Sequence, residues 1–266
     1  MILKYPILFV SILIILIIIV ILFIRQSETE DSDQTLSLGK ETGTVMDIDG
    51  NIYRTVLIGD TWWMADNLQV TRYRNDDLVP HLISNDEWET TTSGAYAIYP
   101  TDDYKVPFGN SQYNDHGEYT DLYQEIVSDY GFLYNWYAVK DSRGVCPENW
   151  RIPTETDWRK LEQYLGGYVI AQGLMKSTRT EPDAHPRWEN PNEGATNKSG
   201  FSGLPGGYRF PDGSYDYKGF FGAWWSSSEY SASNAYFRDL GYVIIDAERI
   251  YSADKRYGFS VRCIKY

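Results

Sequence analysis

Paired tryptophans are the residues of this 266-residue sequence whose type and spacing point most directly to binding chemistry. They form two adjacent pairs, Trp62-Trp63 and Trp224-Trp225, and Tyr230 follows the second pair closely. Such rings stack on the apolar faces of sugars, while Asn, Asp and Glu side chains bind the hydroxyl groups. Adjacent side chains of a strand point to opposite faces, so we expect one Trp of each pair in the core and the other exposed. These five residues are the candidate ligand-binding residues, and burial of Trp224-Trp225 in the core is the alternative.

The sequence lacks the spacings that common catalytic sites require. Ser202 lies in Gly-Phe-Ser-Gly, which does not have the glycine spacing of a nucleophile elbow, and no phosphate-binding loop is present. His81, His116 and His185 lie in loop-like sequence, where solvated or capping histidines are more common than catalytic bases. Carboxylates are too numerous to single out a glycosidase pair, which is recognised by its geometry. We therefore predict no catalytic residues and a protein that is not an enzyme, with a carbohydrate-active enzyme as the alternative.

Metal binding is not predicted either. The two cysteines are far apart in sequence, which excludes a cysteine-rich zinc site. Ca²⁺ prefers oxygen ligands, but the densest polar loop is more typical of solvated sequence; it contains Asn114, Asp115, Glu118 and Asp121. The segment Asp47-Ile48-Asp49-Gly50 resembles the start of a calcium loop but lacks the glutamate that should follow, so we interpret it as a hairpin turn. We expect no metal and no cofactor.

The first 25 residues have the composition of a membrane anchor. Tyr5 to Ile24 is a run of 20 residues that is apolar except for Ser11, and about 20 helical residues cross a hydrocarbon core. No small-x-small cleavage site follows, so residues 1–25 are predicted to be an uncleaved transmembrane helix, with a cleaved signal peptide as the alternative. Lys4 and Arg25 flank the run evenly, and charge therefore does not decide the topology.

The composition changes after the anchor. Residues 26–43 are polar, acidic and free of aromatic side chains, which predicts a flexible linker. Residues 44–266 contain the apolar and aromatic residues of a globular domain. Its cysteines fit an oxidising compartment, so we expect a single-pass cell-membrane protein whose domain lies outside the cytoplasm, in the periplasm or at the cell surface. The net charge of −13 repels phosphate backbones and argues against a nucleic-acid partner.

Local signals predict the elements that position these candidates. Asp49-Gly50 between alternating apolar runs predicts a β-hairpin. Thr154 to Leu165 is predicted to be a helix, because Thr154 can accept from the amide of Asp157 and Gly166-Gly167 can end the helix. A shorter helix is expected at 168–176. Further strands are expected at 130–139, 224–228, 242–245 and 258–264.

The segment 200–209 is rich in glycine and proline, which suits specified turns rather than a mobile loop. Phe201, Leu204 and Tyr208 can anchor it to the rest of the domain. We therefore expect this loop to be rigid.

Seven short motifs occur in order along the chain. They are Asp47–Tyr53, Trp63–Leu68, Leu133–Tyr137, Cys146–Thr154, Ala195–Arg209, Trp224–Ser228 and Ser260–Cys263. Together they resemble the Fibrobacter succinogenes major paralogous domain, a family of bacterial surface and secreted proteins, over roughly Thr44 to Tyr266. The segment Arg151–Thr154 and the terminal Gly-Phe-x-x-Arg-Cys are also similar to landmarks of formylglycine-generating enzymes. This resemblance implies an α+β, C-type-lectin-like fold with a twisted antiparallel sheet, one or two helices and long loops.

The same resemblance makes Cys146 and Cys263 neighbours and implies a structural disulfide, with two buried free thiols as the alternative. The adjacent active-site cysteines of formylglycine-generating enzymes have no counterpart here. We expect a membrane-tethered domain outside the cytoplasm that binds a glycan or a surface protein without catalysis. A carbohydrate-active or formylglycine-generating-type enzyme and a purely structural envelope protein are the alternatives.

Overall fold

Two five-stranded sheets are the largest elements of the described chain, which comprises residues 41–100, 128–180, 183, 186–244 and 252–266 of a computed structural model. The predicted anchor at 1–25 and nearly all of the predicted linker lie outside these residues. The carboxylate-rich loop around Asp115 lies outside them too. Within the described residues, no helix combines the length and apolar character that crossing a membrane requires.

The first sheet joins the beginning of the domain to its end. Its strands are β1 (Thr42–Met46), β2 (Ile52–Ile58), β3 (Thr61–Met64), β6 (Trp150–Arg151) and β12 (Ile264–Lys265). They are ordered β1-β2-β3-β12-β6, and every pair is antiparallel. Strand β12 therefore lies between an early strand and a central one, and β1 begins two residues before the predicted domain start.

The second sheet carries the paired tryptophans 224 and 225. Its strands are β7 (Gly206–Arg209), β8 (Tyr215–Lys218), β9 (Phe221–Glu229), β10 (Asn234–Gly241) and β11 (Ser252–Asp254). Their order is β11-β10-β9-β7-β8, and only the β7–β9 pair among these described strands is parallel. A separate two-stranded ladder pairs β4 (Tyr96–Ala97) with β5 (Leu133–Tyr134).

Four short helices lie wholly within the described residues, more than the one or two expected, and residues 128–130 are helical as well. The four helices are α1 (Asn85–Thr90), α2 (Trp136–Lys140), α3 (Glu155–Tyr164) and α4 (Tyr168–Met175). The expected mixture of helices and antiparallel sheet is confirmed, with strands predominating.

The start and end of α3 confirm the local prediction. The Thr154 hydroxyl accepts from the amide of Asp157, whose carboxylate accepts in return from the Thr154 amide, and this completes a capping box. Gly166 and Gly167 follow with φ of 94° and 99°, a region that side chains with a Cβ rarely adopt. The apolar face of α3 carries Trp158 and Leu161, both buried.

Three predicted strands differ from the structure. The segment 258–264 forms isolated bridges at residues 258–260, and strand β12 begins only at Ile264. The segment 130–139 forms only the short strand β5 before helix α2 begins, because the Asn135 side chain accepts from the amide of Ala138 and caps the helix. Of the predicted strand 242–245, Tyr242 and Val243 are bends, and Ile245 lies outside the described residues.

The predicted hairpin is present, but its loop has five residues rather than two. The carboxylate of Asp47 accepts from the amides of Asp49 and Asn51, each at 3.0 Å, and Gly50 adopts a φ of 86°. The Asp49 carboxylate accepts from Thr71. Both carboxylates therefore build the turn, as the hairpin interpretation requires.

The disulfide between Cys146 and Cys263 is confirmed, with the two Cα atoms 5.9 Å apart. It ties the segment before β6 to the segment that leads into β12. Both cysteines belong to the main buried core, which also contains Trp225 and Phe259. The bond therefore fixes the position of the C-terminal strand relative to α3.

Candidate functional site

Three of the predicted ligand contacts are core residues. Trp63, Trp224 and Trp225 are 1%, 1% and 0% exposed. Trp63 packs against Trp158 with ring centroids 4.8 Å apart, and the indole N–H of Trp224 donates to the side chain of Asn67. These three tryptophans offer no ring face to a ligand, which corrects the prediction for them.

The second pair is buried because both faces of β9 are covered. Trp224 lies on the face packed by α3, α4 and Phe201, and Trp225 lies on the opposite face against Phe259. Adjacent side chains do alternate, but neither face of this strand meets solvent. The expectation that one member would be exposed is therefore wrong for this pair.

Trp62 and Tyr230 keep part of their rings accessible. Trp62 is half-buried, packs at the margin of the core and lines a surface groove. Tyr230 is 47% exposed and meets Tyr236 edge-on with centroids 5.2 Å apart. It does not line the groove, so the structure does not bring the five predicted residues together.

The groove has a volume of about 790 Å³ and lies between the β2–β3 turn, helix α3 and the end of β12. This volume is within the ordinary range for ligand sites, roughly 300–1,000 Å³. We call it the α3 groove. The lining residues that bear on its chemistry are Asp60, Trp62, Arg151, Asp157, Lys160, Tyr164, Lys265 and Tyr266.

Two exposed tyrosines form the aromatic part of the α3 groove. Tyr164 in the last turn of α3 is 45% exposed, and Tyr266 is 77% exposed. Gly59 lies in the β2–β3 turn with a φ of 65°, and a Cβ there would be 3.3 Å from the Tyr164 ring. Glycine thus suits both the turn and its close approach to the ring, and this approach positions Tyr164.

An ion pair forms the floor beside Tyr266. The Arg151 guanidinium donates to the Asp157 carboxylate at 2.6 and 3.0 Å and lies 5.7 Å from the centroid of the Tyr266 ring. Burial alone would raise the pKa of Asp157, but hydrogen bonds from Arg151 and Thr154 outweigh it and hold this pKa at about 2. The carboxylate is therefore ionised and already engaged, which does not suit a general acid.

Two further cavities continue from the α3 groove. One of about 310 Å³ shares Arg151 and Tyr266 with it. The next, of about 520 Å³, shares Lys140 and Asp141 with the second cavity and is lined by Trp136. The three cavities therefore adjoin in series along one surface.

A match to a known protein family covers most of the residues that form the α3 groove. The sequence profile of the Fibrobacter succinogenes major domain matches residues 56–265. The chain belongs to this family. No curated protein and no solved structure matches the chain. The match to the Fibrobacter succinogenes major domain thus covers the end of β2, all of α3 and β12, and it stops one residue before Tyr266.

The described histidines and carboxylates of this Fibrobacter succinogenes major domain form no metal site. Among the described residues, no group of three or more His, Cys, Asp or Glu side chains is placed to hold a metal ion. His81 is not a freely solvated side chain, since it is half-buried and stacks on Tyr96 at 4.8 Å. Burial, and secondarily Arg209, lower the pKa of His81. His116 and His185 lie outside the described residues.

Sequence reasoning missed most of the groove in this Fibrobacter succinogenes major domain. Tyr164 had a partial signal, because it lies three residues after Leu161, at the edge of the apolar face of α3, where a partly exposed ring is expected. No sequence signal pointed to Tyr266, because its position depends on the pairing of β12 between β3 and β6. Arg151 belongs to a family motif that assigned it no role at a site, and Lys160 and Lys265 gave no signal beyond their charge.

Proposed function

We propose that this Fibrobacter succinogenes major domain is a carbohydrate-binding domain that acts without catalysis. The observation that carries the proposal is that Tyr164 and Tyr266, both exposed, line the same 790 Å³ groove. Aromatic rings offer broad apolar faces and lose little side-chain entropy on binding, because each has only two χ angles. Two such rings at one groove suit the stacking of sugar rings.

Polar groups beside the rings supply the orientation that sugar hydroxyls require. Asp60 and Lys160 are exposed at the groove, and Asp157 is held ionised by Arg151. Charge-assisted hydrogen bonds from such groups are stronger than neutral ones. The combination of apolar faces and charged hydrogen-bonding groups favours a hydroxyl-rich ligand over a purely apolar one.

The protonation state of the Asp157 carboxyl group supports the non-catalytic part of the proposal. A glycosidase needs one protonated and one free carboxyl group across the scissile bond. Asp157 accepts from Arg151 and Thr154 and has a pKa of about 2, so it does not supply the protonated member. A carbohydrate-active enzyme is the alternative, and release of reducing sugar from a bound glycan would identify it.

The proposal also places the domain on a membrane tether, in a C-type-lectin-like arrangement, outside the cytoplasm. The apolar run at 1–25 supports the tether, and the Cys146–Cys263 bond supports an oxidising compartment. Helix α3 directly after Arg151–Thr154, packed on antiparallel strands, supports the lectin-like arrangement. Membrane fractionation with protease protection of intact cells tests the location, and a tethered domain should be degraded once the outer permeability barrier is opened.

A glycan array probed with the full chain in detergent micelles tests the binding function. We expect the native chain to bind at least one glycan, and the double variant Tyr164→Ala/Tyr266→Ala to weaken that binding roughly 100-fold, about tenfold for each ring. Tyr230→Ala is the matched control, because Tyr230 is as exposed as Tyr164 but does not line the groove. Absence of any bound glycan, or equal loss in the control, would contradict the proposal and leave a protein-docking or structural role.

A further inference from the structure

We propose that the polymer bound along the three adjoining cavities is an acidic polysaccharide, whose carboxylates are held by unpaired cationic side chains of the groove. This inference rests on the proposed carbohydrate function and adds the chemical class of the ligand. Its basis is a local excess of positive charge on a chain whose net charge is −13.

Four exposed cations line the cavities and have no ion-pair partner among the described residues. Lys160 and Lys265 line the α3 groove, Arg74 lines the second cavity, and Lys140 lines the second and third. None of the four forms an ion pair with any of the described residues. The position of Arg74 also depends on Gly144, because a Cβ on this glycine would occupy the space that the Arg74 guanidinium fills.

The carboxylates of the same surface are mostly neutralised within the protein. Asp157 pairs with Arg151 at 2.6 Å, and Asp141 pairs with Arg143 at 2.7 Å. Among the lining residues, this leaves Asp60 as the carboxylate without an ion-pair partner in the described structure. Four unpaired cations therefore face one unpaired anion, so the groove is locally positive.

A local positive field persists despite the acidic remainder of the chain. At physiological salt the Debye length is about 8 Å, so exposed charges on other faces are largely screened from the groove. Grooves lined by one sign of charge also concentrate ligands of the opposite sign. The four cations thus select for negative charge at the groove, whereas the net charge of the whole chain disfavours polyanions elsewhere on its surface.

The distribution of the cations suits a repeating ligand. Each of the three cavities, of about 790, 310 and 520 Å³, is lined by at least one of the four side chains. A polymer with a carboxylate on successive sugars would place charges along such a series, whereas a single small anion would use one cavity. The exposed rings of Tyr164 and Tyr266 favour sugars as the repeating unit.

The test compares uronic-acid polysaccharides with their own neutral forms. The full chain in micelles is titrated with polygalacturonate, alginate and hyaluronate, and with each polymer after chemical reduction of its carboxyl groups. We expect at least one native polymer to bind tenfold more tightly than its reduced form at 50 mM NaCl, and the difference to vanish at 1 M NaCl, where the Debye length is about 3 Å.

Paired variants then locate the charge effect. Lys140→Gln/Lys265→Gln should weaken binding of the native polymer several-fold and leave binding of the reduced polymer unchanged, since neither lysine belongs to the groups that orient sugar hydroxyls. Lys198→Gln is the matched control, since Lys198 is exposed and lies outside the cavity linings. An unchanged melting temperature in each variant excludes misfolding as the cause.

Each of the remaining outcomes would contradict a specific part of the proposal. Equal binding of native and reduced polymers, or binding of neutral glycans alone, overturns the acidic ligand and leaves the carbohydrate function standing. Single-stranded DNA bound as tightly as the best polysaccharide overturns sugar recognition in favour of a general polyanion site. Failure to bind any of the six polymers or any glycan on the array removes the carbohydrate function itself.

Discussion

Arg151 and Asp157 join strand β6 to helix α3 through two hydrogen bonds of 2.6 and 3.0 Å. The same carboxylate accepts from the amide and the hydroxyl of Thr154 at 2.7 and 2.6 Å, so one side chain both caps the helix and fixes the guanidinium below Tyr266. The start of α3 and the floor of the α3 groove therefore depend on one carboxylate.

Asp157→Asn should lower the free energy of unfolding at pH 7 by about 1–2 kcal/mol, the usual cost of a lost helix cap. The native carboxyl has a pKa of about 2, below its ordinary value of 3.8, so its contribution is present above pH 4 and disappears as the pH falls towards 2. Urea unfolding at pH 7 and at pH 2.5 measures this.

The difference between the native chain and Asp157→Asn should therefore be smaller at pH 2.5 than at pH 7. Asp60→Asn is the control, since the Asp60 carboxylate is exposed and bonds only its neighbour Thr61 among the described residues. An equal difference in the free energy of unfolding at the two pH values would show that the contribution of Asp157 does not depend on its negative charge.

Reduction of the Cys146–Cys263 disulfide should destabilise the domain by about 4–5 kcal/mol in the chain-entropy account, because the bond closes a loop of 117 residues. Denaturant unfolding with and without reductant measures the loss. The double variant Cys146→Ser/Cys263→Ser should match the reduced chain and should not respond to reductant. If reductant still destabilises the double variant, the loss of stability does not come from breaking this disulfide.

The sequence predicted α3 well because its signals are local. Thr154, Asp157 and Gly166 lie within a few residues of the ends that they define, so propensity and capping suffice. The same kind of reasoning failed at 130–139, because Asn135 competes as a helix cap inside a run of strand-forming residues.

The burial of both Trp224 and Trp225 was only the alternative expectation, because it depends on elements far along the chain that cover β9 on both faces. The groove escaped sequence reasoning for a similar reason. Tyr266 reaches Arg151 only because β12 pairs with β6, and the residue pair Ile264–Arg151 is 113 positions apart in sequence. Of the predicted contacts, Trp62 and Trp63 border the groove, but Trp63 is buried and only Trp62 keeps part of its ring accessible there.

His81 should make the stability of the domain depend on pH near neutrality. Burial first, and the charge of Arg209 second, lower its pKa below the ordinary 6.5. As the pH falls below 6.5, the unfolded chain therefore takes up a proton that the native chain does not, and the free energy of unfolding decreases until the native pKa is reached.

His81→Phe keeps a ring for the stack on Tyr96, at 4.8 Å in the native chain, and removes this proton. Urea unfolding between pH 7.5 and pH 5 should show a shallower loss of stability for the variant. The other two histidines are unchanged in the variant, so the difference reports His81 alone. Parallel pH profiles for the two proteins would mean that His81 titrates alike in the folded and unfolded chains.

Removal of the Arg262 guanidinium should destabilise the domain, although this residue does not line the groove. Its side chain is 1% exposed and donates to Asn67 at 2.7 Å, to the carbonyl of Phe201, and to the carbonyl of Ser202 at 3.2 Å. Burial lowers its pKa to about 9, so the guanidinium is still charged at neutral pH. These bonds hold the 200–209 loop, whose rigidity is predicted from its glycines and prolines.

Arg262→Leu leaves the carbonyls of Phe201 and Ser202 without this donor, and each unsatisfied buried group costs about 1–3 kcal/mol. We expect a loss of about 2–5 kcal/mol in urea unfolding and faster hydrogen exchange at the amides of 201–204. Arg256→Leu is the control, because Arg256 is half exposed, pairs with Asp254 and should cost no more than about 1 kcal/mol. If exchange at 201–204 is unchanged in Arg262→Leu, the loop is held by the burial of Phe201 rather than by the guanidinium.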